Sequence, residues 1–300
     1  MQQDLGHAGS YLRRHMSVQH IIGVVFLAAG IIYAIYIIRD VMADREAFRS
    51  QPGTLRNTMI AEAIVYFFCT IGISDFVMNT IALRRLKLAE PETLPDCLIT
   101  QGIVPGCFIA FLYLRNAPAV DVTTMLVFMG GLALGSFFGS RTVGRMKGEA
   151  IRKVLVALLI AAMAAMIVRM ILSAGEPGTA TALTGGKLLL LGCLTTIFGF
   201  TNMMGIPAKP FTTVAMMLLG LSPITTLTLL LGSVPISVVT GGINVVRRRR
   251  YNKKMAISAI TAGCVTAFIG TALAISINAM ALNIILILVI GVAVVSLVKK

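Results

Sequence analysis

Charge is scarce in this 300-residue chain, at 13% of positions, where a soluble domain carries about a quarter. So few charges cannot clothe a water-facing surface, which excludes an ordinary soluble fold. Alternation is missing too. The apolar runs are continuous, and a β-barrel needs strands that switch polar and apolar residue by residue. No two of the five cysteines, Cys69, Cys97, Cys107, Cys193 and Cys264, form a C-x-x-C pair, and none lies near His7, His15 or His20. That leaves no metal or disulfide signature, and no cofactor is expected; the cysteines read as small apolar packing residues. No H-E-x-x-H, G-x-S-x-G or G-x-x-x-x-G-K-[ST] motif occurs, so nothing reads as an enzyme or a nucleotide-driven pump. Acidic residues are outnumbered 12 to 26 by basic ones, for a net charge of +14. In a soluble protein that excess would suggest nucleic acid. Here the basic residues cluster between apolar runs, the pattern of cytoplasmic loops, and no nucleic-acid partner is expected. Residues 1–19 are mostly polar and no small-x-small pattern follows the first apolar run, which argues against a signal peptide.

What the chain has is apolar length. It is 57% hydrophobic with a mean hydropathy of +0.90, and several runs approach the roughly 20 residues that cross a bilayer. An all-α polytopic membrane protein follows, with the lipid bilayer as its surroundings. The expected runs are 20–38, 58–83 (interrupted at Gly72, Ser74 and Asp75), 94–114, 122–140, 151–172, an interrupted stretch within 187–220, 224–246, 255–276 and 280–298. Residues 1–19 are expected as a surface segment and 39–57 as a basic loop.

Parts of the chain repeat. Gly72-Ile73 with Asn79-Thr80-Ile81-Ala82-Leu83 matches Gly205-Ile206 with Thr212-Thr213-Val214-Ala215-Met216, an offset of 133. Gly102 and Pro105 match Gly232 and Pro235, and Phe137-Phe138-Gly139-Ser140 matches Phe268-Ile269-Gly270-Thr271, at nearly the same spacing. The organisation read from this is an N-terminal segment with one extra helix (1–57), a first repeat (58–173) and a second (187–300). Charge orients them. Arg84, Arg85 and Lys87 in the first repeat correspond to the uncharged turn 221–223. The nearly neutral loop 116–121 corresponds to RRRRYNKK at 247–254. Basic loops stay in the cytoplasm, so the second repeat is expected inverted, the common plan of secondary transporters. This topology puts the N-terminus outside.

The stretch 199–220, GFTNMMGIPAKPFTTVAMMLLG, cannot be one undisturbed helix, because Gly205, Pro207 and Pro210 interrupt its ladder. A re-entrant hairpin with a break near 204–210 is expected, mirrored by 58–83 from the other face. Irregular backbone at membrane depth survives only where protein or a wet cavity covers it. Half-helices starting after each break aim free N–H groups and positive dipole ends at that space, which suits an anion. The candidate substrate-binding residues are Gly72, Ser74, Asp75, Asn79 and Thr80 from the first break, and Asn202, Gly205, Lys209, Thr212 and Thr213 from the second. Lys209 reads equally as an ion-pair partner of Asp75. For Thr212 or Thr213 taken alone, a bond back to a helix carbonyl is the slightly stronger reading. Gly102, Pro105, Gly232 and Pro235 read as kinks or close packing.

The segment GFTNMMGIPAKPFTTVAMMLLGLSP, with Leu134-Gly135-Ser136-Phe137-Phe138-Gly139-Ser140-Arg141 and the basic loop after it, resembles the sulfite exporter TauE/SafE family of bacterial and archaeal permeases. The resemblance spans roughly residues 58–298. Family members carry a G-x-G-G-G-like cluster at the break, where this chain has Ser74 and Asp75 in one half and Asn202-Met203-Met204-Gly205 in the other. The resemblance implies a prokaryotic plasma-membrane permease. It would move sulfite, an organosulfonate or a related small anion, coupled to a proton or sodium gradient. Two other readings stay open: a non-transporting scaffold or assembly partner acting through 247–254, and an anion channel.

Overall fold

The protein is described by a computed structural model covering residues 2–90, 92–142 and 178–276, with side chains from residue 18. The expected runs 151–172 and 280–298 lie outside the described residues. Within them the elements are α1 (Gln2–Ala43), α2 (Arg45–Ser50), α3 (Leu55–Cys69), α4 (Asp75–Arg85), α5 (Leu94–Asn116), α6 (Val122–Thr142), α7 (Gly185–Asn202), α8 (Ala208–Leu219), α9 (Pro223–Ser233), α10 (Pro235–Arg247), α11 (Lys253–Ser258), a π-helical turn (Ala259–Gly263) and α12 (Cys264–Ala274). The sole extended pairing among them is an isolated bridge between Ala180 and Leu221. The expected polar surface segment 1–19 is helical from Gln2 onward, and the expected loop 39–57 holds the end of α1 and all of α2.

Among the described residues, five segments are long and apolar enough to cross a membrane: Val18–Ala43, Leu94–Asn116, Val122–Thr142, Pro223–Arg247 and Lys253–Ala274. Their outward faces leave Ile21, Val25 and Ile32 of α1, Leu134 and Phe138 of α6, and Val265 and Phe268 of α12 exposed. Water would penalise that surface, whereas lipid matches it. The chain is thus an all-α, multi-pass membrane protein.

Hydrogen bonds sort the helix ends into two opposite groups. At one end, Gln51 donates to the Tyr251 carbonyl, and the Asn252 amide donates to the carbonyls of both Pro52 and Leu88. Arg248 there reaches the Ser140 carbonyl, and Asp40 pairs with Arg249. At the other end, Gln19 bonds the Leu114 carbonyl and the Val120 N–H, Leu183 N–H donates to Thr124, and Lys187 donates to the Leu219 carbonyl. The first end collects Arg84, Arg85, Lys87, Arg141, Arg247–Arg250, Lys253 and Lys254; the second has Arg115 and Lys187, with Arg13 and Arg14 further out on α1.

Two helical hairpins open on these opposite ends. In the first, neither α3 nor α4 is long enough to cross alone. At the rise of an α-helix α3 reaches about 22 Å and α4 about 16 Å, whereas the hydrocarbon core is roughly 30 Å thick. One Asn252 side chain holds the start of α3, through Pro52, and the chain beyond α4, through Leu88. This hairpin therefore enters and returns at the basic end. α7 and α8 do the same from the far end, where Ala180 exchanges backbone bonds with Gly220 and Ser222. The break in this second hairpin is narrower than expected, at 203–207. Pro210 lies in the first turn of α8, where a missing N–H has no intrahelical partner to lose.

Both breaks are the same piece of backbone. After α3, Gly72 donates to Cys69 and Ile73 to Phe68; after α7, Gly205 donates to Asn202 and Ile206 to Thr201. Gly72 (φ 98°) and Gly205 (φ 79°) take the left-handed conformation that this helix ending requires and that side chains resist. The two returning helices also end alike, with Leu88 donating to Leu83 after Lys87 at φ 51°, and Leu221 donating to Met216 after Gly220 at φ 102°. Each of these pairs keeps the sequence offset that separates Gly72 from Gly205. Packing follows the same relation. A Cβ on Gly139 would strike Phe200 and Met203, and one on Gly270 would strike Phe67 and Thr70.

Pro235 divides 223–247 into α9 and α10 and sits at the start of α10, the position that suits a proline. Pro105 stays inside α5 without ending it.

Candidate functional site

The two breaks do not meet tip to tip. Thr70, in the first, accepts a hydrogen bond from Tyr113 near the far end of α5, while Gly205, in the second, lies against Pro95 at the basic end of α5. The tips pass one another. What meets, midway along α5, is the first turn of each returning helix. Ser74, Asp75 and Phe76 face Ala208 and Lys209 across a cavity closed by Gly102, Gly106, Val234, Pro235 and Ser237. Gly102 matters here because a Cβ on it would press on the Asp75 carboxylate at 3.4 Å. The cavity measures about 20 Å³, room for a single water.

Lys209 is buried, and its Nζ sits 2.7 Å from Asp75 Oδ1 and 2.9 Å from Cys69 Sγ. The ion pair thus joins the two hairpins. Asp75 opens α4, where the helix's positive end favours a carboxylate. Lys209 is the second residue of α8, where the same effect opposes it, so Asp75 supplies the compensating charge. Neither preceding cap residue, Ser74 nor Pro207, makes a side-chain cap bond. The Ser74 hydroxyl is buried without a partner.

The other candidate residues fall into two groups. Asn202 is at the cavity wall, its Oδ1 accepting from the Ala208 N–H and its amide donating to Ser237. It ties the end of α7 to the start of α8. Thr80 donates to the Phe76 carbonyl, Thr212 to those of Ala208 and Lys209, and Thr213 to that of Lys209. Their hydroxyl protons are committed to their own helices. Asn79 is buried on α4 with its Oδ1 unpartnered.

Sequence reading passed over three features. Cys69, taken for packing, touches the lysine. Glu62 on α3 is wholly buried, and neither of its oxygens has a hydrogen-bond partner; a lone acid in the run MIAEAIVYFF was the available signal. The third is a network at the basic end. Asp40 accepts from Tyr251 at 2.6 Å and pairs with Arg249 at 2.9 Å and Lys253 at 3.7 Å. Burial and the bond to Asp40 push the Tyr251 phenol up from its ordinary value. Arg248 lies 3.6 Å from Asp96, and Lys254 donates to the carbonyls of Arg49, Gln51 and Gly53. Beside this network a cavity of about 640 Å³ is lined by Gln51, Arg84, Lys87, Arg249 and Arg250. Among the described residues, no three His, Cys, Asp or Glu side chains are grouped to hold a metal ion.

The fold and site define an α-helical, multi-pass membrane protein with a charged pair buried between two hairpins. Comparison with protein-family models, curated proteins and solved structures finds no match.

Proposed function

We propose that the chain is a secondary transporter for a small anion, sulfite, an organosulfonate or a related sulfur-containing anion, bound near mid-depth between the hairpins. The observation that carries this reading is the meeting of Lys209 and Asp75 in the first turns of two half-helices that enter from opposite ends. Both helix N-termini and the one lysine converge there, the chemistry that receives negative charge. The matching breaks, at one common offset, support an inverted duplication, the architecture in which transporters place their sites. The resemblance to the sulfite exporter family points the same way. With its many basic residues the basic end is cytoplasmic. The larger cavity there, lined by Arg84, Lys87, Arg249 and Arg250, gathers anions from that side. The cavity at the pair has room for one water only, so this conformation is closed and the anion enters only when Lys209 leaves Asp75.

The scaffold reading finds less support. Arg248, Arg249, Lys253 and Lys254 of the basic loop are all engaged within the chain. A channel would conduct without saturation or dependence on a gradient.

The test is thermal unfolding of the purified protein against sulfite, sulfate, thiosulfate, sulfonates and carboxylates, followed by flux of the best ligand into proteoliposomes. A ligand at a hundred times its Kd stabilises by about 2.7 kcal/mol. At least one anion should raise the midpoint in the wild type and none should in Lys209→Met. No shift with any anion, or equal flux in the variant, would falsify the reading.

A further inference from the structure

Glu62 is the one buried acid of the two hairpins that the ion pair does not use. It lies on the buried face of α3 formed by Thr58, Glu62, Val65, Tyr66 and Cys69. That face is a polar track. Thr58 bonds Ser258 at the basic end, Tyr66 donates to the Gln101 carbonyl, and Cys69 accepts from Lys209. Glu62 stands between, about 10 Å along the helix from Cys69. Buried carboxylates are ordinarily paired or hydrogen-bonded. Neither oxygen of Glu62 is, and other buried polar atoms of this hairpin and of α5 are orphaned as well: Asn79 Oδ1 on α4, Ser74 Oγ just before it, and Thr100 Oγ1 and both amide atoms of Gln101 on α5.

The charges facing Glu62 come from few places. α4 contributes Asp75, a like charge, and the neutral Asn79, whose amide faces Glu62 without reaching hydrogen-bond geometry. α3 itself contributes Tyr66, which in turn faces Cys264 at the start of α12. The lysines of α11 are held elsewhere, Lys253 by Asp44 and Lys254 by loop carbonyls. Among the described residues no cation is aimed at Glu62. Its ionised form therefore has nothing to offset lost hydration, a cost much smaller for the neutral acid.

We propose that Glu62 is the proton-binding group of this transporter, and that taking up the proton makes the site receptive to the anion. The proposal rests on the anion-transport reading. With Glu62 ionised, the set Lys209, Asp75 and Glu62 carries one net negative charge and repels an anion. With the proton on a Glu62 oxygen, the set is neutral and Lys209 can exchange Asp75 for the incoming anion. Proton and anion then bind together and leave together, one of each per cycle, with no covalent bond made besides the O–H.

Two measurements on the full-length protein separate this from the reading it rests on. Infrared difference spectra between about pH 8 and pH 5 should show a carboxylic-acid carbonyl band that grows on acidification. The band should shift in deuterated water, vanish in Glu62→Gln and persist, displaced, in Glu62→Asp. A wild type without the band, or a Gln variant that keeps it, overturns the proposal whatever the transport result. In proteoliposomes clamped at zero membrane potential, a one-unit pH gradient coupled one to one accumulates about tenfold. The probe is labelled thiosulfate, which stays ionised across this range, with sulfite as a second probe. Wild type and Glu62→Asp should reach that ratio; Glu62→Gln should only equilibrate. Tenfold accumulation by the Gln variant overturns the proposal. The band without flux of either anion instead overturns the anion reading and leaves Glu62 a proton site.

Discussion

Removing one member of the Lys209–Asp75 pair should be worse than removing both, and the two single changes should not be equal. Both side chains are about nine-tenths buried and 2.7 Å apart. Breaking such a pair by deleting one partner costs about 3–5 kcal/mol, because the survivor is left charged and dry. Where each survivor sits then decides the order. Lys209→Met leaves Asp75 at the start of α4, where the helix end stabilises a carboxylate by about 0.3–1 kcal/mol or somewhat more. Asp75→Asn leaves Lys209 in the first turn of α8, where the same term has the opposite sign. The lysine variant should therefore lose about 3 kcal/mol and the aspartate variant about 5 kcal/mol. The double variant should regain most of the loss, since neither remaining group is charged. By the scaling for domains of about 150–250 residues, a loss of about 3 kcal/mol corresponds to roughly 6–12 °C in the unfolding midpoint. The chain has no tryptophan, so the assay is a thiol-reactive dye that reports the buried Cys69, Cys97 and Cys107 as they become accessible. Losses that simply add in the double variant, or a lysine variant worse than the aspartate variant, would refute this account of the pair.

Three further outcomes are expected. Gly205→Ala should destabilise by about 1–2 kcal/mol, since the left-handed backbone is costly for any side chain, and Gly186→Ala, at a glycine with open space around it and no positive φ, should not; thermal midpoints of both decide it. Asp44 caps α2 through the Ala47 N–H and, with that bond and Lys253, is held below its ordinary carboxylate value. Its contribution is present above the unfolded value near about 3.9 and lost as pH falls through the lower folded one, so the protection factors of the amides at 45–50, with the intrinsic rate divided out, should fall in acid, less so in Asp44→Asn. Cysteines introduced at Asn116 and Arg250, exposed positions at opposite ends of the bundle, should react with an impermeant thiol reagent from opposite sides of a sealed vesicle; labelling of both from one side refutes the arrangement.

The breaks were legible in sequence because glycine at Gly72 and Gly205 and proline at Pro207 have few other uses inside an apolar run. Lys209 and Asp75 stood out for a related reason, as charges beside the interruptions. Their pairing was legible only as an even choice, since one residue of register separates them in the alignment and only the crossing of the hairpins brings them together. For Thr212 and Thr213 the bond back to a helix carbonyl was one of two readings the sequence offered, and the structure takes it; the same bond at Thr80 was not foreseen, because a hydroxyl on a helix chooses between its own carbonyl and a cavity by rotamer. Asn202 reads as a polar residue near a break, yet its work is local: it holds the N–H of Ala208 across the turn. Glu62 carried a visible signal, a lone acid in an apolar run, but no glycine or proline nearby marked the spot. The Asp40 network was illegible because it joins residues from distant parts of the chain, Asp40 to Tyr251 and Lys253.

Each hairpin rests on its own glycine-relieved neighbour, α7 on α6 through Gly135 and Gly139, and α3 on the π-turn and α12 through Gly263 and Gly270. Small residues at those seams let backbones lie close and slide with little interlocking. The salt link at Lys209 therefore acts as a latch between two otherwise self-contained wedges. A lysine hangs on a flexible four-carbon stem, so the wedges can rock some distance before the latch lets go. In the proposed transporter, release at that point would free both wedges together, and its two doors would move as one mechanism.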